Sequence, residues 1–396
     1  MKNNYCALLW NHFIFSQDKT MTKPCCVHKN FFNMDDTINK VGATNSVLKS
    51  LRKKVLDSDE LLPGCDECYR DEKVKGYSLR TQANNVFKDR KKHYIKNTQK
   101  DGTYDDFKLE WLDIRWSNLC NYKCRFCSIS SSNSWLKDHL LLDKVPENYD
   151  TKTGLIETNV SWEDLKQYLP HVRYIKLAGG EPLMMEGTYQ LLDEMINLNK
   201  LDTEILVNTN ASFIKYGNKD IIQLLENFSN VNISLSIDGM NDVHNYLRSG
   251  KNDWKKVETN IEKFLNFKGY VTFLSSISWL NAQHMIKVLE RYKNVNIDFN
   301  SVTTPEFMSL GYLPNKQFEN IIEELDKSNV DTDMKIKYKK WLRNQYRQTR
   351  KSHTQRMQLK DQFMFFVTKL DQTRGQDFCT TFPEWKSFYK EITNAK

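Results

Sequence analysis

The sequence predicts an α/β chain built on an open, partial barrel of six β/α units, preceded by a cysteine-rich segment and followed by a helical one. Two observations carry this. Between residues 109 and 300, short runs rich in Val, Ile, Leu and Phe alternate with amphipathic segments, as parallel strands alternate with crossover helices. The nine cysteines of the 396-residue chain fall in groups, which in a reduced compartment points to metal or catalytic use rather than disulfides.

The strands are predicted at 111–116, 172–178, 203–208, 231–237, 270–278 and 294–299. Helical spacing fills the gaps, as in 187–199 and 220–230. In folds of this kind chemistry collects at the C-terminal ends of the strands, and the motifs lie there. The first strand runs into Cys120, Cys124 and Cys127, spaced C-x3-C-x2-C, with Phe126 beside the last. Iron–sulfur clusters are usually held by four thiolates, so three on one loop leave one iron open to an exchangeable ligand. Structural zinc takes separated Cys pairs or Cys/His sets, and this run has no fourth ligand near it. The second strand ends in Gly179-Gly180-Glu181-Pro182. On its own this is a turn, but two glycines also admit a ligand close to the backbone, and the carboxylate beside them can take an ammonium. The third strand ends in Asn208-Thr209-Asn210 and the fourth in Ser234-Leu235-Ser236-Ile237-Asp238, with Arg248 ten residues on. Ser234, Ser236 and Asp238 share a strand face.

The spacing C-x3-C-x-aromatic-C resembles the signature of the radical S-adenosylmethionine (SAM) superfamily. The resemblance implies a [4Fe–4S] cluster on Cys120, Cys124 and Cys127, with Phe126 in the aromatic position. It implies that Gly179, Gly180 and Glu181 bind the SAM amino group. Asn208, Asn210, Ser234, Ser236 and Asp238 resemble the strand ends that reach the SAM ribose and carboxylate, and Arg248 the arginine that pairs with that carboxylate. The implied reaction starts with an electron from a reductant such as flavodoxin or ferredoxin. SAM is cleaved to methionine and a 5′-deoxyadenosyl radical, which abstracts hydrogen from a substrate.

Residues 1–108 precede the barrel. The stretch 5–31 carries two apolar runs about a polar turn, Gln17-Asp18-Lys19-Thr20, and reads as a β-hairpin with Cys6 on one strand and Cys25/Cys26 at the end of the other. Residues 46–56 have helical spacing with basic residues outward, and Pro63-Gly64 leads into the Cys65/Cys68 pair. Residues 74–95 read as a helical connector whose basic run, Lys88 to Lys92, is a solvated face. Cys6, Cys25 or Cys26, Cys65 and Cys68 could supply four thiolates. The arrangement looks like the twitch or SPASM type of domain, which holds an auxiliary [4Fe–4S] cluster, although that domain usually follows the barrel. A zinc ribbon would use the same four residues.

Residues 301–396 are mostly helical in pattern, with 315–329 followed by a long stretch from Met334 to Leu370. Within it, residues 335–360 hold ten Lys/Arg and no Asp/Glu, interleaved with Tyr338, Trp341 and Tyr346. Such a helix either binds nucleic acid or an acidic partner, or packs its aromatics inward under a solvated charged face. Residues 370–375 and 382–384 mark a final turn and a short helix, and Cys379 reads as a packed thiol.

The chain is 39% hydrophobic and 27% charged with a net charge of +8, which permits an anionic partner without demanding one. No apolar run reaches the ~20 residues of a membrane span. The start, MKNNYCALLWNHFIF, is broken by Asn11 and His12 and lacks a small-residue cleavage site. The expected location is the cytoplasm. The expected activity is radical SAM chemistry on a peptide or protein, since the auxiliary-cluster resemblance favours such substrates. Modification of nucleic acid or a nucleotide is the alternative enzyme. A non-catalytic metal-binding interaction protein is the alternative from another class.

Overall fold

Six strands form one sheet: β1 (Trp111–Ile114), β2 (Tyr174–Leu177), β3 (Glu204–Thr209), β4 (Asn230–Leu235), β5 (Tyr270–Ile277) and β6 (Asn296–Ser301). Their order, β6-β5-β4-β3-β2-β1, follows the chain. β1 to β3 pair in parallel, as do β4 to β6. Parallel neighbours need a crossover for every step, and this is the predicted run of β/α units, with every expected strand present to within two or three residues. This computed structural model describes residues 4–15, 21–142, 152–158, 160–251 and 253–394. Two compact units emerge: Met1–Ser117 with Ile156–Val207 and Gln223–Val231, and Asn118–Leu155 with Asn208–Ile222 and Asn232–Lys396.

In the first unit, one face of the strands is apolar. Leu112, Ile114, Ile175, Leu177, Ile205 and Val207 are all at most 1% exposed, each worth ~1.5–3 kcal/mol of burial. Alternation puts Asp113 and Lys176 on the other face, paired across the β1–β2 register with Nζ 3.2 Å from the carboxylate. Ahead of the strands lie α1 (Ser46–Asp57), α2 (Asp66–Lys75) and α3 (Leu79–Val86). Asn45 caps α1 by accepting from Val47 N at 3.0 Å. The expected outward basic face of α1 fails at Arg52, which is buried and donates to Gly42 O at 2.6 Å. The connector predicted through 74–95 breaks at Gly76, whose left-handed backbone ends α2.

Among the described residues, the hairpin expected at 5–31 survives only where Ile14 N donates to Lys23 O at 3.1 Å. Cys6 precedes a single helical turn, Leu8–Asn11, and the antiparallel pair joins Met21–Thr22 to Phe32–Asn33, leaving Cys25 and Cys26 in the turn between them. The reason is long-range. Asn84 of α3 accepts from Ala7 N at 2.8 Å and donates to Tyr5 O at 2.9 Å, while Arg80 reaches Tyr5 O at 3.1 Å. Side chains thus satisfy the backbone that a strand partner would have served. The predicted turn at 17–20 lies outside the described residues.

The second unit holds β5, β6 and the C-terminal helices. Its centre is Trp279, buried among Tyr312, Phe363, Phe378, Trp385 and Phe388, with ring centroids 5.4–6.0 Å away. α4 (Asn241–Arg248) follows β4, and α5 (Asn315–Lys327) follows β6. The long helix expected from Met334 to Leu370 is two helices, α6 (Thr332–Thr349) and α7 (His353–Arg374). Arg350 takes an extended ψ of 129°, and Ser352 with Gln355 forms a capping box that starts α7 afresh. The basic helix proves to be the packed alternative. Tyr338, Trp341 and Tyr346 are buried, and Lys337, Lys339 and Arg343 pair with Asp298, Asp326 and Glu319 at 3.4, 2.6 and 3.2 Å. Among the described residues no helix is long and apolar enough to cross a membrane.

Candidate active site

In the second unit the three-cysteine loop is held from two sides. From within the loop, Asn118 Nδ2 donates to Ile129 O and Gly154 O at 2.7 and 2.8 Å. Asn133 accepts from Cys120 N at 3.1 Å, Ser134 donates to Cys120 O at 2.6 Å, and the Trp135 indole donates to Cys124 O at 3.0 Å. The segment Ser132–Trp135 is therefore the loop's internal scaffold, a role that its serine-rich composition concealed. From α4, the carbonyls of Leu247 and Ser249 accept from Arg125 N and Lys123 N, both at 2.8 Å. A helix leaves its last carbonyls unpaired, and here the cysteine loop takes them up.

Cys120, Cys124 and Cys127 are all partly buried and unbonded to one another. Burial pushes the Cys124 thiol well above its ordinary range, and neighbouring thiolates at Cys127 and Cys120 would add to this. The strongest opposing charge is the Arg248 guanidinium. Arg248 is buried and pairs with Asp238 at 2.6 Å. Asp238 is fixed in turn by Ser276 N at 2.6 Å. Its backbone oxygen accepts from Asn281, a buried residue that the sequence did not single out. Asn210 donates to Asn121 at 3.0 Å, with Nδ2 3.9 Å from Cys120 Sγ. Ser236 pairs through its backbone with Thr209, and Ser234 bonds Thr272 across the strands at 3.2 Å. Asn208 and Phe126 are partly buried. His244, one helical turn before Arg248, is buried with neither ring nitrogen hydrogen-bonded. Burial, then Arg248, hold it neutral with a pKa of about 3. Arg248 Nε and Asn121 Nδ2 are likewise buried without a hydrogen-bond partner. The three thiols of this loop lie in the field of a buried cation with spare donors, a donor set whose chemistry suits an anionic cluster and its ligand.

The Gly-Gly-Glu motif belongs to the first unit. Gly179 has φ +108°, and a Cβ there would meet Arg115 and Ser117 O at 3.1 Å, so only glycine fits. Gly180 N donates to Ser117 O. Glu181 is buried and caps the following turn by accepting from Leu183 N at 3.1 Å.

Also in the first unit, Cys6, Cys25, Cys65 and Cys68 line one small cavity with Arg80 and His28. Burial raises all four thiols, Cys65 to about 12. His28 uses its ring nitrogens on backbone groups, Pro63 O at 3.1 Å and Asn30 N at 3.0 Å. Cys26 turns away, with Sγ 3.7 Å from Lys176 Nζ. Among the described residues no three His, Cys, Asp or Glu side chains converge as they would on a single metal ion. Four thiols are the donor set that either an iron–sulfur cluster or a structural zinc takes.

A family profile described as the radical SAM superfamily matches residues 114–277. Residues 114–277 are a radical SAM domain. Members of this superfamily are enzymes. Among curated proteins, the chain is 27% identical over 188 residues to a GTP 3′,8-cyclase of Campylobacter lari, covering 46% of this chain and 51% of that one. It is 25% identical over 194 residues to the sporulation killing factor maturation protein SkfB of Bacillus subtilis, covering 49% and 42%. The chain thus spans about half the length of the curated relatives it matches. A solved structure of Streptococcus suis SuiB bound to precursor peptide SuiA shares 15% identity with a TM-score of 0.37, covering 81% of this chain and 72% of that one. Within the radical SAM domain fall the three cysteines, the Gly-Gly-Glu turn, Asn210, Asp238 and Arg248.

Proposed function

We propose that this chain cleaves SAM reductively at a [4Fe–4S] cluster on Cys120, Cys124 and Cys127 and modifies a peptide or protein. The observation that carries the reading is the thiol loop of a radical SAM domain clamped beside the buried Arg248–Asp238 pair. When bound, the cluster supplies the electron that splits SAM and so starts hydrogen abstraction. The chain's own residues do the positioning. Arg248 presents a fixed guanidinium to a carboxylate, Asp238 orients it, and Asn210 braces the loop at Asn121. Gly179 lets backbone approach a ligand where a side chain would block it. Cys6, Cys25, Cys65 and Cys68 would hold an auxiliary cluster, with Cys26 outside the set because its sulfur faces Lys176. A flavodoxin- or ferredoxin-like reductant would supply the electrons.

The four-thiol cavity and the likeness to a killing factor maturation protein support a peptide or protein substrate. The GTP cyclase relatives support a nucleotide substrate as the second reading, whereas the internally paired basic helix withdraws support from nucleic acid. The test is anaerobic reconstitution with iron and sulfide followed by dithionite-driven SAM cleavage. About eight irons per chain are expected, falling to about four with loss of 5′-deoxyadenosine when Cys120, Cys124 and Cys127 become Ala. Zinc in place of iron, with no SAM cleavage, would leave the non-catalytic binding protein.

A further inference from the structure

The polar segment Asp371–Gln376, at the end of α7, has no part in the site above, yet it closes onto the back of the cysteine loop. Arg125, between Cys124 and Phe126, is 1% exposed. Its Nη2 donates to Asp371 Oδ1 at 2.5 Å and Gln376 Oε1 at 2.9 Å, its Nε to Tyr246 O at 3.2 Å, and its guanidinium lies 3.6 Å from the Tyr246 ring centroid. Asp371 is held in place by Phe378 N on its other oxygen, at 2.8 Å. Gly375 ends α7 with φ +62°. Its turn, closed by Gln376 N to Asp371 O at 2.9 Å, brings both acceptors to one arginine. Arg374 has a side chain only 2% exposed. It donates to Asp138 at 2.8 Å and to Ser249 Oγ at 3.2 Å. Asp138 also takes Lys123, at 3.2 Å.

We propose that the Asp371–Gln376 turn is a clasp that positions the cysteine loop, and that Arg374 sets the electrostatic environment of whatever the loop holds. The links from Asp371 and Gln376 to Arg125 and from Arg374 to Asp138 and Ser249 end on a loop residue flanking Cys124, or on a residue that such a flanking residue already binds. Gln376 is also anchored to α4, donating to Asn245 O at 2.9 Å. Three cations, Lys123, Arg125 and Arg374, face two carboxylates, Asp138 and Asp371, so the loop is backed by a net positive charge. At the surface such pairs would matter little, but fixed and largely dry they act at low dielectric. A cation behind an anionic group favours its more reduced form. Arg374 is therefore a positioning residue that would raise the potential of the loop's cluster.

The charge-setting half rests on the cluster reading of the loop, and the clasp half stands without it. Hydrogen exchange is measured on the full-length, metal-free, reduced chain for the parent, Asp371→Asn, Arg374→Met, Arg374→Lys and the exposed control Lys340→Met. Asp371→Asn and Arg374→Met should speed exchange of the loop amides, those of Lys123 and Arg125 above all, by about tenfold with β5 unchanged. The control should match the parent. Unchanged loop exchange, or a rise spread through β5 as well, overturns the clasp. In the iron-loaded chain carrying Cys65→Ala and Cys68→Ala, a redox titration followed by electron paramagnetic resonance reads the loop's own potential. Arg374→Met should lower it, and Arg374→Lys, which keeps the charge and loses the fork, should stay near the parent. Equal potentials in the parent and Arg374→Met overturn the charge-setting role. A parent that takes up no iron on the loop overturns the cluster reading and the charge-setting role together, with exchange still deciding the clasp.

Discussion

Replacing Lys176 with Met should destabilise the first unit by about 3 kcal/mol. Asp113 is 2% exposed, and its main partner is Lys176 Nζ at 3.2 Å. Removing one member of a buried pair typically costs ~3–5 kcal/mol, because the other charge is left dry and uncompensated. Arg115 stays 3.8 Å from the same carboxylate on a side chain 31% exposed, which puts the cost at the low end. For a unit of this size each kcal/mol moves Tm by about 2–4 °C, so calorimetry at pH 7 should show a fall of about 6–12 °C. The double variant Asp113→Asn/Lys176→Met removes both charges and should melt within a few degrees of the parent. The pH dependence has a definite sign. In the parent, burial alone would raise the Asp113 carboxyl, but Lys176 and then Arg115 hold it below the ordinary range. Its contribution is therefore present above the unfolded value of ~3.9 and lost as pH falls through the depressed folded one. Without Lys176 the carboxyl rises instead, protonation relieves the strain, and the gap to the parent should narrow as pH falls from 7 towards 4. A single variant melting within 2 °C of the parent at pH 7, or a gap that widens on acidification, would refute the reasoning.

Cys25→Ser should cost the chain about four irons on reconstitution while Cys26→Ser keeps them, and equal losses would return the choice of ligand to open. Arg248→Met should abolish SAM cleavage and, by stranding the buried Asp238, lower stability by ~3–5 kcal/mol. Melting curves and product assays on the same preparation check both. Gly179→Ala should lose ~1–3 kcal/mol through its positive φ, together with SAM binding measured by equilibrium dialysis, and wild-type binding would argue against close ligand approach there. Neutralising Lys339, Lys340 and Arg343 should leave filter binding of RNA and DNA at low salt unchanged, since two of the three already have carboxylate partners. A drop would restore the nucleic-acid reading.

The sheet and the thiol loop were legible because they are written locally. Period-2 patterning marks Leu112/Ile114 and Ile175/Leu177, and three cysteines within eight residues mark the loop. What escaped depends on partners far along the chain. Cys6 sits before a helical turn rather than on a strand because Asn84 and Arg80, more than seventy residues on, take its neighbours' backbone groups. Arg52 reads as a surface residue until Gly42 O claims it. The choice between Cys25 and Cys26 turned on the direction of a short turn, and two adjacent thiols carry no sequence mark of which way each points. The role of Asp371 and Gln376 needed a contact about 250 residues away in sequence.

The divergence of those two adjacent thiols ties two places in the first unit together. Consecutive Cα atoms are a fixed ~3.8 Å apart, so the backbone cannot move Cys25 towards the cavity without carrying Cys26 along. Cys26 rests on Lys176, and Lys176 on Asp113 at the strand that leads into the cysteine loop. A group seated in the cavity should therefore alter the surroundings of a lysine within the sheet, which lies one peptide unit and one side-chain contact away. An infrared or NMR probe on the Lys176 amine would report the state of the N-terminal thiols without touching any of them.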